Sequence, residues 1–312
     1  MLAPITLKPR PESRVWGGRG LEKLGRELPP GPVGESWEVH GELMVASGEW
    51  AGRTLDELVR ELGSALLGPG CESDSFPLLA KWLDCQDWLS VQVHPDDQLA
   101  RELSGDPRQR GKTECWFVRS AEPEARLVHG LVAGTRPEDL SCDPSMIEHL
   151  DYRPARAGDV FLTPAGTVHA LGPGLLLYEI QQSSDLTYRL YDWDRPGLDG
   201  KPRPLHWEEA LAVLRRVPPY LAPPVPEGTV GAVRVNTPYF VVEELTGQHA
   251  WTPERFEILT AFEGEAELVS RSGGERLAEG EARVLPATVG RVEVRGGRVL
   301  RTFQPREAPT RQ

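Results

Sequence analysis

The stretch AGDVFLTPAGTVHALG, residues 157–172, carries the pattern that predicts the fold. Gly158 is followed by five residues, then by Pro164-Ala165-Gly166, then by two more residues and His169. Glycine permits a tight entry to a hairpin, and the proline with the second glycine favours a fixed turn. The spacing therefore predicts a hairpin in which His169 lies on the strand that follows the turn.

A second stretch, LSVQVHPDD at residues 89–97, has the periodicity of a strand. Leu89 begins an alternation in which every second residue is apolar, and Ser90, Gln92 and His94 occupy the positions between. A period of two is typical of a strand with one apolar and one polar face. The hydroxyl, the amide and the imidazole would therefore project from the same face.

The composition is that of a globular protein with many turns. The chain has 312 residues, of which 39% are hydrophobic and 26% charged, so it can form one large domain or two ordinary ones. Its 29 prolines and 32 glycines are spread along the sequence, which favours short strands joined by turns over a helical bundle.

Charge and hydropathy exclude several classes of partner. The net charge of −12 argues against a nucleic-acid-binding protein, whose phosphate contacts need a basic face. A phosphorylated small molecule stays possible, because a few local lysines and arginines suffice. No apolar run approaches the roughly 20 residues of a membrane span, and the N-terminus lacks a signal-peptide core. We therefore expect no membrane partner and a cytoplasmic location.

The first stretch resembles the second signature of the cupin superfamily, a double-stranded β-helix or jelly roll. The resemblance implies that His169 is a metal ligand inside the barrel. The first signature is represented by Gln92 and His94, and its acid comes later, at Glu114 in GKTECWF. Two imidazoles, a carboxylate and an amide oxygen suit Zn²⁺ with one open position. Histidines outside these signatures, His40, His129, His149, His206 and His249, are expected to be ordinary hydrogen-bonded residues.

Longer blocks resemble the type I phosphomannose isomerases in their short bacterial form. The blocks are FPLLAKWLDCQDWLSVQVHPDD, GKTECWFV and GDVFLTPAGTVHALGPGLLLYEIQQSSDLTYRLYDWDR, within a match from about residue 8 to residue 206. The resemblance implies one zinc ion per chain and interconversion of mannose 6-phosphate and fructose 6-phosphate through a cis-enediol. The implied zinc ligands are His94, Glu114 and His169, with Gln92 as a weaker contact.

Roles for the other polar residues also follow from this resemblance. The family's active-site arginine corresponds to Arg189, and its lysine near the metal-binding glutamate corresponds to Lys112. Either Lys112 or Glu179 could be the catalytic base. The substrate phosphate could be bound by Arg189 or by one of several others, namely Ser90, Lys81, Arg14 and Arg19. The protein is expected to be a monomer or a weak dimer.

The C-terminal region carries a faint copy of the first stretch. Gly280, five residues and Pro286-Ala287-Thr288 repeat the pattern at an offset of 122, and Arg291 stands where the histidine would be. We therefore predict a mainly β protein with two parts: a metal-binding jelly-roll domain with helical segments at 1–216, and a smaller metal-free jelly-roll-like domain at 229–312. Residues 217–228 hold five prolines and are predicted to be a linker.

Two other functions share this fold. A cupin dioxygenase or epimerase would need a different set of metal ligands, since dioxygenases usually use two or three histidines with Fe²⁺. A sugar-binding cupin without enzymatic activity would keep the fold but would have no need for Arg189 and Lys112 near the metal.

Overall fold

The computed structural model describes residues 1–218, 220–223 and 228–305, and these form two compact units. One unit combines residues 1–10 and 37–80 with the described residues from 221 onward, and the other combines 11–36 with 81–220. Both units thus join segments that are distant in sequence. The predicted division into 1–216 and 229–312 is a division into continuous segments and stays a prediction. Within the predicted linker, residues 219 and 224–227 lie outside the described residues.

Strands dominate the structure, which confirms the prediction of a mainly β protein. The strands before residue 217 are β1 Arg10–Gly18, β2 Val33–Val39, β3 Leu78–Cys85, β4 Val91–Val93, β5 Glu114–Ala121, β6 Arg126–Leu131, β7 Leu150–Pro154, β8 Val160–Thr163, β9 His169–Leu171, β10 Leu175–Gln182 and β11 Tyr188–Tyr191. The later strands are β12 Ala232–Asn236, β13 Val241–Trp251, β14 Glu257–Glu263, β15 Ala266–Ser270, β16 Gly273–Leu277, β17 Ala282–Leu285 and β18 Val292–Phe303.

The helices are short. The α-helices are α1 Leu55–Leu62, α2 Ser64–Leu67, α3 Asp97–Ser104 and α4 Trp207–Arg216, and 3₁₀ helices cover Gly20–Leu24, Pro137–Asp139 and Pro144–His149. Helix α1 begins with a capping box, in which Thr54 and Glu57 each accept a hydrogen bond from the other's backbone N–H. Among the described residues, no helix is long and apolar enough to cross a membrane.

Three sheets contain these strands. One has the order β1-β2-β3-β10-β5-β8, the second β11-β4-β9-β6-β7, and the third β12-β13-β18-β14-β17 with β15 and β16 attached through β18. Strand β5 runs antiparallel to both β10 and β8, and β4 runs antiparallel to both β11 and β9. Neighbours in these sheets are therefore often far apart in the chain.

The two faces of β4 differ as the alternation predicts. Val91 and Val93 are fully buried in an apolar cluster that includes Ala210 and Val213 of α4. Because side chains alternate along a strand, the residues between them face the opposite side of the sheet. This packing fixes the register of β4 and directs its polar face toward the neighbouring sheet.

The predicted turn before His169 is present. Thr167 N donates to Pro164 O over 3.1 Å, and Gly166 between them has φ +85°. A positive φ at this position of a type II turn favours glycine. Gly166 N also donates to the carbonyl of His94 over 2.9 Å, which ties the turn to the end of β4. The turn thus brings the two histidine-bearing segments together.

The C-terminal copy repeats part of this geometry. The bonds from Asp159 N to Arg156 O and from Glu281 N to Ala278 O are both 3.0 Å long and lie 122 residues apart. Val289 N likewise donates to Pro286 O over 3.0 Å, as in the turn before His169. These turns support the predicted repeat, and the assignment of a second jelly roll stays a prediction.

Candidate functional site

Strand pairing aligns three of the predicted site residues in a row. Gln92 of β4 lies opposite Arg189 of β11 on one side and opposite His169 of β9 on the other. Residues that are directly opposite in a sheet have side chains on the same face. His94 is two positions beyond Gln92 and therefore shares that face. The sheet thus presents an arginine, an amide and two imidazoles on one side.

Glu114 approaches this face from the first residue of β5, in the neighbouring sheet. Its Oε1 lies 3.2 Å from His169 Nε2 and its Oε2 lies 3.6 Å from His94 Nε2. The three residues are buried, and their donor atoms all lie within 4.8 Å of one another. These three side chains could hold a metal ion.

Gln92 completes the donor set. Its Nε2 lies 3.1 Å from His169 Nε2 and 3.5 Å from His94 Nε2, while Ser90 Oγ donates to its Oε1 over 3.1 Å. Around a four-coordinate ion with bonds of about 2.1 Å, neighbouring donor atoms lie roughly 3.4 Å apart. All these separations agree with that spacing. Rotating the terminal amide by half a turn would direct the oxygen toward the imidazoles and leave the nitrogen near Ser90.

The imidazole of His169 is oriented for metal binding. Its Nδ1 lies 2.9 Å from the carbonyl oxygen of Thr167, so Nδ1 carries the proton and Nε2 presents its lone pair to the cluster. Burial, followed by the positive charge of Lys112, holds the pKa of His94 well below its ordinary value. Burial opposes ionisation of Glu114, but His94 and Lys112 outweigh it and lower the pKa of this carboxyl. The cluster therefore favours neutral imidazole and ionised carboxylate, which are the forms that bind metals.

A second polar row crosses the other sheet. Glu35 of β2, Lys81 of β3, Glu179 of β10 and Trp116 of β5 lie on four adjacent strands. Lys81 Nζ lies 3.1 Å from Glu179 Oε1 and 3.6 Å from Glu35 Oε2. Trp116 Nε1 donates to Glu179 Oε2 over 3.0 Å, and its ring centroid lies 5.4 Å from that of His169. The row therefore connects buried charges to the metal-binding cluster.

The charges in this row depend on one another. Burial opposes the charge of Lys81, but Glu179 and Glu35 outweigh it and raise the pKa of the ammonium group. Burial and the negative charge of Glu114 raise the pKa of Glu179, and Lys81 only partly offsets that rise. Lys81 is therefore charged throughout the physiological range, and its charge opposes the rise in the pKa of Glu179.

Lys81→Met is expected to lower the free energy of unfolding by about 3 kcal/mol, because it leaves Glu35 and Glu179 buried without their shared cation. Since the folded-state pKa of Lys81 is raised, its stabilising contribution is fully present below pH 10.5, the ordinary value, and is lost only as the pH rises further. Urea unfolding at pH 7 and 8 measures the difference. Lys201→Met, a change at an exposed lysine, is the control. Equal stability of the two variants would contradict the assigned pairing.

Both polar rows open into one cavity of about 460 Å³. Its lining includes the charged and polar residues Arg14, Glu35, Lys81, Ser90, Gln92, Lys112, Glu114, Glu179, Asp185, Arg189, Asp199 and Arg203. Apolar walls come from Val15, Trp16, Leu83, Leu89 and Leu198. A concave site with several convergent polar groups is typical of a small-molecule site.

The predicted cations of the site have different partners. Lys112 is buried, and its Nζ lies 3.7 Å from Glu114 Oε2. Arg14 lines the cavity but is held by Glu35, whose carboxylate lies 3.0 Å from its Nε. For Arg189, no carboxylate of the described residues lies within ion-pair distance, and its buried Nε has no hydrogen-bond partner there. Arg19 does not line this cavity and bonds to Glu22.

The histidines outside the two signatures do not join the cluster. His129 of β6 lies directly opposite His169, but its Nε2 lies 2.9 Å from Leu162 O. His206 Nδ1 accepts a hydrogen bond from Arg189 N. These two histidines have the ordinary hydrogen-bonded roles that the sequence predicts.

Two residues of the second polar row, Glu35 and Trp116, were missed by the sequence analysis. Every residue of β2 is buried, so the charged Glu35 within VGESWEV could have indicated a buried polar site. Trp116 is two positions after Glu114 on the same strand and therefore shares its face. Neither signal identifies a partner, because the partners are on strands distant in sequence.

Comparison with known proteins gives one consistent family. Residues 5–116 match the model of the phosphomannose isomerase type I catalytic domain. A mannose-6-phosphate isomerase from Streptococcus mutans is 37% identical over 252 residues, which cover 78% of each chain. The mannose-6-phosphate isomerase ManA of Bacillus subtilis is 34% identical over 94% of this chain and 96% of its own.

Solved structures agree with these matches. The crystal structure of the mannose 6-phosphate isomerase from Bacillus subtilis superposes with a TM-score of 0.84 at 32% identity, and the match covers 96% of this chain and 99% of that one. A putative mannosephosphate isomerase from Archaeoglobus fulgidus has a TM-score of 0.75 at 22% identity over 97% and 98% of the chains. The second likeness concerns the fold alone.

Proposed function

The chain belongs to the type I phosphomannose isomerase family, and we propose that it interconverts mannose 6-phosphate and fructose 6-phosphate with a zinc ion. The observation that carries the proposal is the convergence of His94, Glu114 and His169, with Glu114 lining a cavity that Lys112 and Arg189 also line. A sugar-binding cupin would not need these two cations next to the ligand set.

The proposed zinc ligands are His94, Glu114 and His169, with the Gln92 oxygen as the fourth. This set of two nitrogens and two oxygens fits Zn²⁺, which accepts imidazole and carboxylate in four-coordinate sites. When bound, zinc would supply an electrophile that polarises the carbonyl and hydroxyl oxygens at C1 and C2 of the sugar. The hydrogen bond that His169 Nδ1 donates to Thr167 O and the contact between Ser90 Oγ and the Gln92 amide keep the ligands oriented.

The proposed reaction moves a proton between C2 and C1 through a cis-enediol. We assign the transfer to Lys112, which would first have to lose its own proton. The neutral amine would then take the proton from C2 of the open-chain aldose and return it to C1, while the hydroxyl proton moves from O2 to O1. Lys112 Nζ lies 3.7 Å from Glu114 Oε2, whereas the two oxygens of Glu179 contact Lys81 and Trp116. Glu179 would then keep Lys81 and Trp116 in place beside the cavity. Arg189, which has no carboxylate partner among the described residues, would stabilise the negative charge of the substrate.

Purified protein is expected to form fructose 6-phosphate from mannose 6-phosphate in a coupled assay. Incubation with a chelator should lower the rate at least about tenfold, and added zinc should restore it. Glucose 6-phosphate and unphosphorylated mannose serve as comparison substrates. Absence of turnover of any hexose phosphate in the zinc-loaded protein would refute the proposed activity. Turnover that a chelator does not change would refute the role of the metal.

A further inference from the structure

We propose that Arg203 is a second phosphate-binding residue of the cavity, acting beside Arg189, and that Asp192 is the positioning residue that holds it there. This inference rests on the proposed function, and it specifies which part of the cavity receives the phosphate group of the sugar phosphate. Arg203 lies outside the motifs that carry the family resemblance, and it lines the cavity together with Arg189.

The backbone brings Arg203 close to Arg189. His206 N donates to Arg189 O over 2.8 Å, and Arg189 N donates to His206 Nδ1 over 3.2 Å. These two bonds attach the segment 203–206 to β11. The segment therefore runs along the same edge of the sheet as Arg189, and both guanidinium groups reach the same cavity.

Asp192 fixes the orientation of Arg203. Arg203 Nε donates to Asp192 Oδ2 over 2.7 Å, and Arg203 Nη2 donates to Oδ1 of the same carboxylate. Asp192 is 6% exposed, so this bidentate pair is screened little by solvent. A guanidinium has five N–H groups, of which two are used here, and three remain for an anion. A guanidinium held rigidly in this way loses little freedom when it binds phosphate.

Arg189 and Arg203 bring two positive charges into the cavity, and only Arg203 has a carboxylate partner among the described residues. Asp192 also accepts a hydrogen bond from Arg195 Nη2 over 3.2 Å, so one carboxylate serves two arginines. Arg189 has no carboxylate partner among the described residues. Burial lowers the pKa of Arg189, and the nearby charge of Arg203 lowers it further. An anion that contacts both groups would relieve this repulsion.

Two exposed aspartates of the cavity do not neutralise Arg189 and Arg203. Asp185 and Asp199 also line the cavity, but both are exposed to solvent, which screens their charge. The Oδ1 of Asp199 accepts a hydrogen bond from Lys201 N in its own turn. Neither carboxylate is within ion-pair distance of Arg189 in the described part of the chain.

The position of these arginines suits a hexose 6-phosphate. Arg189, Gln92 and His169 lie opposite one another on three adjacent strands, so Arg189 is two strand spacings from His169. Two spacings are roughly 10 Å. The phosphate is at C6, the end of the sugar opposite to the reacting C1 and C2. A phosphate at Arg189 and Arg203 would therefore leave C1 and C2 near the ligand set.

The test compares Arg203→Gln with Arg195→Gln in the zinc-loaded full chain. Arg195 also bonds to Asp192 and to Asp87, over 2.8 Å, but it does not line the cavity, so it controls for disturbance of the loop. Inorganic phosphate is titrated by calorimetry. Arg203→Gln should raise the Kd for phosphate about 10- to 100-fold. Arg195→Gln should leave it unchanged.

Kinetics give an independent readout. Arg203→Gln should raise KM for mannose 6-phosphate with kcat unchanged, because the contact is made equally in ground and transition states. Arg203→Lys keeps the positive charge but lacks the paired N–H groups of the guanidinium, so it should bind phosphate with an affinity between those of the wild type and Arg203→Gln. If Arg203→Gln does not fold, Arg203→Lys shows whether residue 203 binds phosphate. Asp192→Asn should weaken phosphate binding in the same direction, and Asp192→Glu should restore part of it.

Two results would overturn the assignment: wild-type phosphate affinity in Arg203→Gln or Arg203→Lys, or an equal loss in Arg195→Gln. The phosphate titration needs no turnover. If the isomerase activity itself were absent, the Kd values would still decide whether Arg203 binds phosphate, so failure of the two proposals can be distinguished.

Discussion

His169→Ala is expected to lose the bound metal and the isomerase activity together, with kcat falling at least about 10³-fold. His169 Nε2 lies within 3.2 Å of both Glu114 Oε1 and the Gln92 amide nitrogen, so the substitution removes one of the metal donor atoms. The hydrogen bond from its Nδ1 to Thr167 O fixes the tautomer, and alanine cannot replace either function.

Metal content measured beside turnover checks this prediction. Arg189→Ala is the first control, because it changes a cavity residue outside the donor set and should keep the metal while losing turnover. His129→Ala is the second, since His129 lies directly opposite His169 but bonds to Leu162 O. It should keep both metal and turnover. A His169→Ala protein that retains one equivalent of zinc would exclude His169 as a ligand.

Lys112→Met is expected to lower kcat about 10²- to 10⁴-fold while the metal stays bound, because it removes the proposed proton-transfer group and keeps a side chain of similar length. Lys112 is buried, and its Nζ lies 3.7 Å from Glu114 Oε2, next to the ligand set. Glu179→Gln should have a smaller effect on kcat, since Lys81 and Trp116 already occupy both oxygens of Glu179.

Proton exchange separates these two residues more directly than rate alone. In D₂O, the wild-type protein should exchange the C2 proton of mannose 6-phosphate, as followed by NMR. Lys112→Met should abolish this exchange, whereas Glu179→Gln should preserve it. The opposite ranking of the two variants would transfer the role of base to Glu179.

Local patterns were sufficient to predict the shared face of Gln92 and His94 and the turn before His169. The alternation in LSVQVHPDD places Gln92 and His94 on one face, and the apolar cluster behind Val91 and Val93 holds that face toward the cavity. The proline and glycine of PAG determine the turn before His169, which the structure confirms through the positive φ of Gly166. Such features depend on neighbours within a few residues, so a single sequence contains them.

Residue identity alone left the other roles undecided. Lys81, Arg14 and Arg189 were all possible phosphate ligands by charge. The structure distinguishes them by their partners: Lys81 and Arg14 contact Glu35, whereas Arg189 has no carboxylate partner in the described chain. A cation's availability depends on what surrounds it, and the surroundings come from strands distant in sequence.

The sequence by itself determined the mainly β fold, the shared polar face of Gln92 and His94 and the turn before His169, because period-two alternation and the backbone limits of proline and glycine act locally. Only the tertiary structure decided the row of Glu35, Lys81, Glu179 and Trp116, and the place of Arg203 beside Arg189. Those contacts depend on the order β2-β3-β10-β5 and on the bonds between β11 and His206. Strand order joins residues that are scores of positions apart, and no local pattern specifies it.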